Sequence, residues 1–301
     1  MAKPVAGNEV TYTGAGGVRL VGERWTPGAG HPPADTALLL HGGGQTRHSW
    51  HGTAARLAAH GWAAITVDAR GHGDSQWAPD GDYSLDAFAG DLCAIVSTLD
   101  RAPVLIGASL GGMTALVGQG ERPNLARALV LVDIAPRVER AGRERIRAFM
   151  ASGANGFASL EEVADAVHAY NPNRPRPRNL DGLMKNVRQR ADGRWYWHWD
   201  PKFLRVGDEP SRAVDTGRLY HAAGNITVPT LLVRGTRSDI VTPEAAAELL
   251  LLIPAATIVE VAAGHMIAGD DNDAFTAHLL DFLTGLPDHH DRRPPPQCRP
   301  V

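Results

Sequence analysis

The run Val104-Leu105-Ile106-Gly107-Ala108-Ser109-Leu110-Gly111-Gly112 constrains the chain more than any other stretch. Apolar, partly β-branched residues end abruptly in Gly-x-Ser-x-Gly, and Met113 to Val117 then continue as a helix. A strand that turns tightly into a helix holds the residue at its apex in a strained backbone conformation and exposes that side chain. Gly107 and Gly111 belong at the two flanks because a Cβ there would collide with the neighbouring strand or helix. The turn predicts an α/β architecture with Ser109 at a strand's carboxyl end.

The remaining sequence keeps the same rhythm. Glu9 to Thr13 and Val18 to Trp25 alternate apolar and polar residues around Gly14-Ala15-Gly16-Gly17, which predicts an antiparallel hairpin. Thr36 to Leu40 and Trp62 to Val67 are short continuous apolar runs, as in strands covered on both faces. Ala128 to Val132, Thr230 to Val233 and Thr257 to Val261 read the same way. Between them lie helical patterns at about 49–60, 84–99 and 272–284, with Ser84 as N-cap of the second. Thr242-Pro243 opens a further helix with a cap and a first-turn proline. Strands alternating with helices through short connections make a mostly parallel, doubly wound sheet with right-handed crossovers, here of eight strands.

From Pro136 to about Asp215 the alternation stops. Helical patterns at 143–151, 160–170 and 180–190 surround a Pro-rich loop. Arg194 to Asp200 carries three of the chain's seven tryptophans. This segment is expected to be a helical cap, giving a core of 1–135 and 216–285, a cap of 136–215 and a disordered tail of 286–301, of which 288–296 lacks apolar content. Tyr170, Trp195, Trp197 and Trp199 are its candidate pocket residues, with packing of cap against body as the alternative.

Composition narrows the partners. A formal net charge of -3 without a basic helix face argues against nucleic acid as a partner. No 18-residue apolar run is present, so no membrane partner is expected. Cys93 falls in a helix and Cys298 in the tail, which argues against a structural disulfide and for a reducing, cytoplasmic setting. His41, His48, His51, His72 and His289-His290 show no helical spacing with a carboxylate base, so neither metal nor cofactor is expected. Oligomeric state has no sequence signature here.

Functional groups in such sheets collect at strand carboxyl ends. A serine hydroxyl needs a base to become a nucleophile, and the base needs an acid to fix its tautomer. Ser109, Asp239 and His265 each lie just past a predicted strand, in that order. Asp133, past the strand after the serine, is the competing acid. The glycines of His41-Gly42-Gly43-Gly44 leave backbone N–H groups free, so the N–H of Gly43 and of Leu110 are candidate oxyanion donors.

These stretches, together with Asp68-Ala69-Arg70-Gly71-His72-Gly73-Asp74-Ser75, resemble the α/β-hydrolase family. The similar branch holds small carboxylesterases, cofactor-free haloperoxidases, meta-cleavage C–C hydrolases and epoxide hydrolases. The resemblance covers about 36–136 and 226–283 and leaves the cap unassigned. Epoxide hydrolases of that branch use an aspartate nucleophile. Ser109 on an epoxide would leave an unhydrolysable ether, so the resemblance implies acyl chemistry instead. The expectation is a carboxylic ester (or thioester) hydrolase acting on a small molecule through an acyl-enzyme. C–C hydrolysis or perhydrolysis on the same residues is the alternative reading. A receptor-like, non-catalytic member of the fold is the alternative outside enzymology.

Overall fold

The computed structural model describes residues 6–28, 35–172, 176, 179–208, 215–265, 267 and 273–287. The apolar runs form one eight-stranded sheet. Its strands are β1 (Asn8–Thr13), β2 (Arg19–Trp25), β3 (Thr36–Leu40), β4 (Ala63–Val67), β5 (Val104–Ala108), β6 (Ala128–Val132), β9 (Thr230–Gly235) and β10 (Ala256–Val261). Two short strands of the intervening segment, β7 (Val187–Gln189) and β8 (Trp195–Trp197), make a separate antiparallel pair. The order in the large sheet is β1-β2-β4-β3-β5-β6-β9-β10. β2 pairs antiparallel with β1 and β4, and every later neighbour is parallel.

Helices cover both faces, as continuous burial of the parallel strands requires. Along β6, Leu129 and Leu131 point into one core with Leu92, Leu116, Leu219 and Leu249. These four come from α2 (Leu85–Val96), α3 (Leu110–Glu121), α6 (Thr216–Gly224) and α7 (Pro243–Leu252). Val130 and Val132 alternate to the other face, against Leu57 of α1 (His51–Ala59) and Phe275 and Leu279 of α8 (Asp273–Thr284). The predicted caps form: Ser84 accepts from the Ala87 N–H and Thr242 from the Ala245 N–H, with Pro243 in the first turn of α7.

The segment after β6 has its own apolar cluster, centred on Met150, Phe157, Val163, Leu183, Trp197 and Trp199. It contains α4 (Arg140–Ala151) and α5 (Leu160–Tyr170). The expected helix at 180–190 is a correction: a 3-10 turn at Asp181–Lys185 gives way to β7, which pairs Val187 with Trp197 and Gln189 with Trp195. Pairing with the aromatic strand overrides the local helical preference.

Cys93 is buried on α2, while Cys298, on which the expectation about a disulfide also rests, lies outside the described residues, as does most of the expected tail (288–301). Among the described residues no helix is long and apolar enough to cross a membrane.

Candidate active site

Ser109 sits between β5 and α3 with φ 46° and ψ -113°. Sterics on both flanks impose this turn. A Cβ on Gly107 would overlap the Gly111 carbonyl, and one on Gly111 would overlap the Leu40 carbonyl. Such φ values for a non-glycine residue carry strain that surrounding packing must hold in place.

β6 lies beside β5 in parallel register, with Ala108 opposite Val132. Ser109 and Asp133 are therefore adjacent at the sheet's carboxyl edge. Asp133 also has positive φ, 49°. Its carboxylate is fully buried and well supplied with donors: the Gly235 N–H at 3.0 Å, the Ser238 hydroxyl at 2.5 Å and His265 Nδ1–H at 2.8 Å. His265 follows β10, with a side chain only 6% exposed. Donation from Nδ1 leaves Nε2 as the ring's acceptor, the tautomer a general base needs.

Asp239, the acid favoured from strand order, is not on His265. Its carboxylate pairs with Arg145 Nη2 of α4 at 2.8 Å and is one-third exposed. The reason is local. The turn after β9 directs Ser238 inward to Asp133, while the Ile240 carbonyl accepts from the Glu139 N–H and the Asp239 carbonyl abuts Gly142 of α4. Asp239 thus belongs to the junction between the end of β9 and α4. The competing acid, Asp133, meets the imidazole.

The glycine loop after β3 approaches the serine closely: a Cβ on Gly42 would lie 3.3 Å from Ser109 Cβ. The Gly42 N–H donates to Gln45 Oε1 at 2.9 Å and the Gly44 N–H to His72 Nε2 at 3.1 Å. Among the described residues no acceptor meets the Gly43 N–H. Leu110 opens α3 with no side-chain cap on its N-terminus. These are the two N–H groups expected from sequence.

Buried histidines hold this loop and the neighbouring turn at 68–75. His41 donates from Nδ1 to the Gly42 carbonyl (2.7 Å) and accepts the Ala69 N–H at Nε2 (3.0 Å). His72 donates to the Arg70 carbonyl (3.0 Å) while accepting from Gly44. His198, from the cap segment, accepts the Gly73 N–H at 2.7 Å. Burial pushes His41 down to about 4 and His72 to about 3, and His198 lies well below the usual imidazole range for the same reason. All three are neutral acceptors near pH 7. Sequence reasoning assigned none of them a role. His41-Gly42 and Gly71-His72-Gly73 are the signal the first two leave; His198 stands between two tryptophans and leaves none of that kind.

The four aromatic residues expected to line a pocket divide differently. Trp197 and Trp199 stack at 4.9 Å in the cap's own cluster, and Trp197 Nε1 donates to the Ser152 carbonyl. Tyr170 stacks on Phe149 at 4.3 Å, and Trp195 pairs with Phe157. Of the four, Trp199 comes nearest the glycine loop, 3.4 Å from the position of a Cβ on Gly44. Met150 and Phe203, unmarked in the sequence, also roof that loop. A small cavity borders Leu110 and Gly111, and its lining includes His41, Phe88 and Thr114 but none of the four aromatics.

Comparison with known proteins bears on the fold and the family. The family model of the alpha/beta hydrolase fold matches residues 37–271. An esterase of Mycobacterium tuberculosis is 31% identical over 264 residues, covering 85% of this chain and 83% of the relative. N-formylmaleamate deformylase of Pseudomonas putida is 30% identical, covering 94% and 98%. The crystal structure of an α/β hydrolase from Novosphingobium aromaticivorans superposes with a TM-score of 0.77 at 26% identity, covering 93% of this chain and 99% of that one. The chain belongs to the α/β-hydrolase fold family and is an enzyme of the hydrolase class.

Proposed function

We propose that the protein hydrolyses a carboxylic ester, or a thioester, of a small molecule through an acyl-enzyme on Ser109. The observation that carries this reading is the His265–Asp133 hydrogen bond at the strand edge beside a positive-φ serine. His265 Nε2 takes the Ser109 proton as Oγ attacks the substrate carbonyl. Asp133 fixes the tautomer and stabilises the imidazolium that forms. The N–H groups of Gly43 and Leu110 receive the developing oxyanion, a contribution of about 3–4 kcal/mol per donor in comparable sites. The alkoxide or thiolate leaves with the proton from His265, and water then releases the acid by the same steps in reverse. The segment 136–215 acts as a cap over this edge, with Met150, Trp199 and Phe203 facing the glycine loop.

The relatives support acyl transfer at a carbonyl. One is named an esterase and another a deformylase, so amide deformylation is the second reading. The test is fluorophosphonate labelling with peptide mass spectrometry on wild type and Ser109→Ala. It runs beside turnover of p-nitrophenyl acetate, p-nitrophenyl butyrate, an acyl thioester and a formamide. One adduct on the Ser109 peptide, with ester turnover lost in the variant, is expected. Formamide turnover alone would move the reaction to the amide reading. A folded wild type that neither labels nor turns over any acyl substrate would overturn the proposal and favour a ligand-binding role.

A further inference from the structure

A second cluster of chemically active side chains lies outside the catalytic edge. Glu23 projects from β2, His48 lies in the 3-10 turn Arg47–Trp50, and His51 is the first residue of α1. His51 Nε2 is 2.8 Å from Glu23 Oε2 and 2.9 Å from His48 Nδ1. His48 Nδ1 is 3.8 Å from Glu23 Oε1.

Three lone-pair atoms therefore converge where one imidazole proton must serve them all. If that proton is on His51 Nε2, the carboxylate and the His48 nitrogen share it. If it is on His48 Nδ1, the lone pair of His51 faces that of the carboxylate at 2.8 Å. A cation in place of the proton would satisfy all three. Tetrahedral zinc, with bonds of about 2.0–2.2 Å, spaces its ligand atoms about 3.3 Å apart. The two nitrogens lie 2.9 Å apart, and the carboxylate approaches them through its two oxygens, Oε2 at 2.8 Å from His51 and Oε1 at 3.8 Å from His48, separations close to that spacing.

The carboxylate is fixed by Arg47 Nε at 3.2 Å, whose own charge is matched by Asp68 and Asp74. The His51 ring packs edge-on against Trp25 at 5.2 Å. The three side chains are 13%, 21% and 31% exposed, so solvent reaches the fourth position.

We propose that Glu23, His48 and His51 form a binding site for a divalent transition-metal ion of the zinc class, separate from Ser109 and His265. Sequence spacing did not show it, because the carboxylate comes from a strand 25 residues before the first histidine, a separation visible only as numbering.

The test uses the full chain, stripped with chelator and titrated with Zn²⁺ by calorimetry at pH 7.5, with Co²⁺ absorption reporting ligand geometry. Binding of one ion to this site and a tetrahedral Co²⁺ spectrum are expected. His51→Gln and Glu23→Gln, each checked for native circular dichroism, should each weaken the site on the order of 100-fold or more. Ser109→Ala, His265→Gln and a His289→Ala/His290→Ala double variant should leave it intact. Absence of binding in wild type would overturn the proposal. So would full affinity in His51→Gln, or loss of the ion in His265→Gln or in the tail variant.

Discussion

His265 Nδ1–H donates to Asp133 Oδ2 at 2.8 Å, joining residues 132 positions apart, while Asp239 lies on Arg145 instead. The two acids are therefore separable by mutation. Asp133→Asn should lower kcat for ester substrates on the order of 10³–10⁴-fold, because the amide can donate to Nδ1 and hold the wrong tautomer. Asp239→Asn removes a partly exposed ion pair and should change kcat by less than about tenfold. Steady-state kinetics on both variants decides the matter, and comparable losses would reject Asp133 as the orienting acid.

Strain at Ser109 predicts a stability difference between two inactive variants. Ser109→Ala keeps a Cβ at φ 46°, whereas Ser109→Gly relieves it. The glycine variant should be more stable than the alanine variant by about 1 kcal/mol, after its own loss of unfolded-chain entropy. Urea unfolding of the pair measures this, and a glycine variant less stable than alanine would refute the strain.

Arg70 and Asp91 form a buried bidentate pair, Nε to Oδ2 at 2.7 Å and Nη2 to Oδ1 at 2.6 Å. Asp91 also accepts the Ala15 N–H, joining α2 to the turn between β1 and β2. Arg70→Met strands a buried carboxylate and should cost about 3–5 kcal/mol. Adding Asp91→Leu should recover much of that loss. Chemical denaturation of the single and double variants tests it, with additive losses as the contrary result.

The neutral histidines set an acid limit. The unfolded chain takes up protons at His41 and His72 near pH 6.5, but burial holds the folded values at about 4 and about 3. Below pH 6.5 the unfolded state binds more protons, so stability falls with falling pH down to the folded values. Each histidine contributes a slope of about 1.4 kcal/mol per pH unit in that window. Glu23, held down to about 2, acts in the same direction at lower pH. Tm should drop steadily from pH 6.5 to 5, and a flat profile would show that these imidazoles are not buried in the neutral form.

Continuous runs such as Ala128–Val132 made the sheet legible, because a strand buried on both faces leaves no polar alternation to misread. The serine turn was legible for a similar reason: glycines at 107 and 111 answer steric demands met within a few residues. The choice of acid was not. Asp133 and Asp239 both follow buried strands, and the decision rests on Ser238 turning inward and Arg145 reaching from α4. The lost helix at 180–190 has the same origin, since β7 exists only because Trp195–Trp197 returns to pair with it.

His198 holds the Gly73 N–H, and the ring of His72, 5.8 Å away, holds the Gly44 N–H next to Gly43, the proposed oxyanion donor. Grafting a different 136–215 segment onto this core would leave the Gly73 N–H, in the turn that carries His72, without its imidazole acceptor. A chimera with His198 restored should recover turnover that one without it lacks. Met150 and Phe203 also come from the 136–215 segment but face the glycine loop through apolar side chains alone, so exchanging them should disturb that loop's backbone less than losing His198.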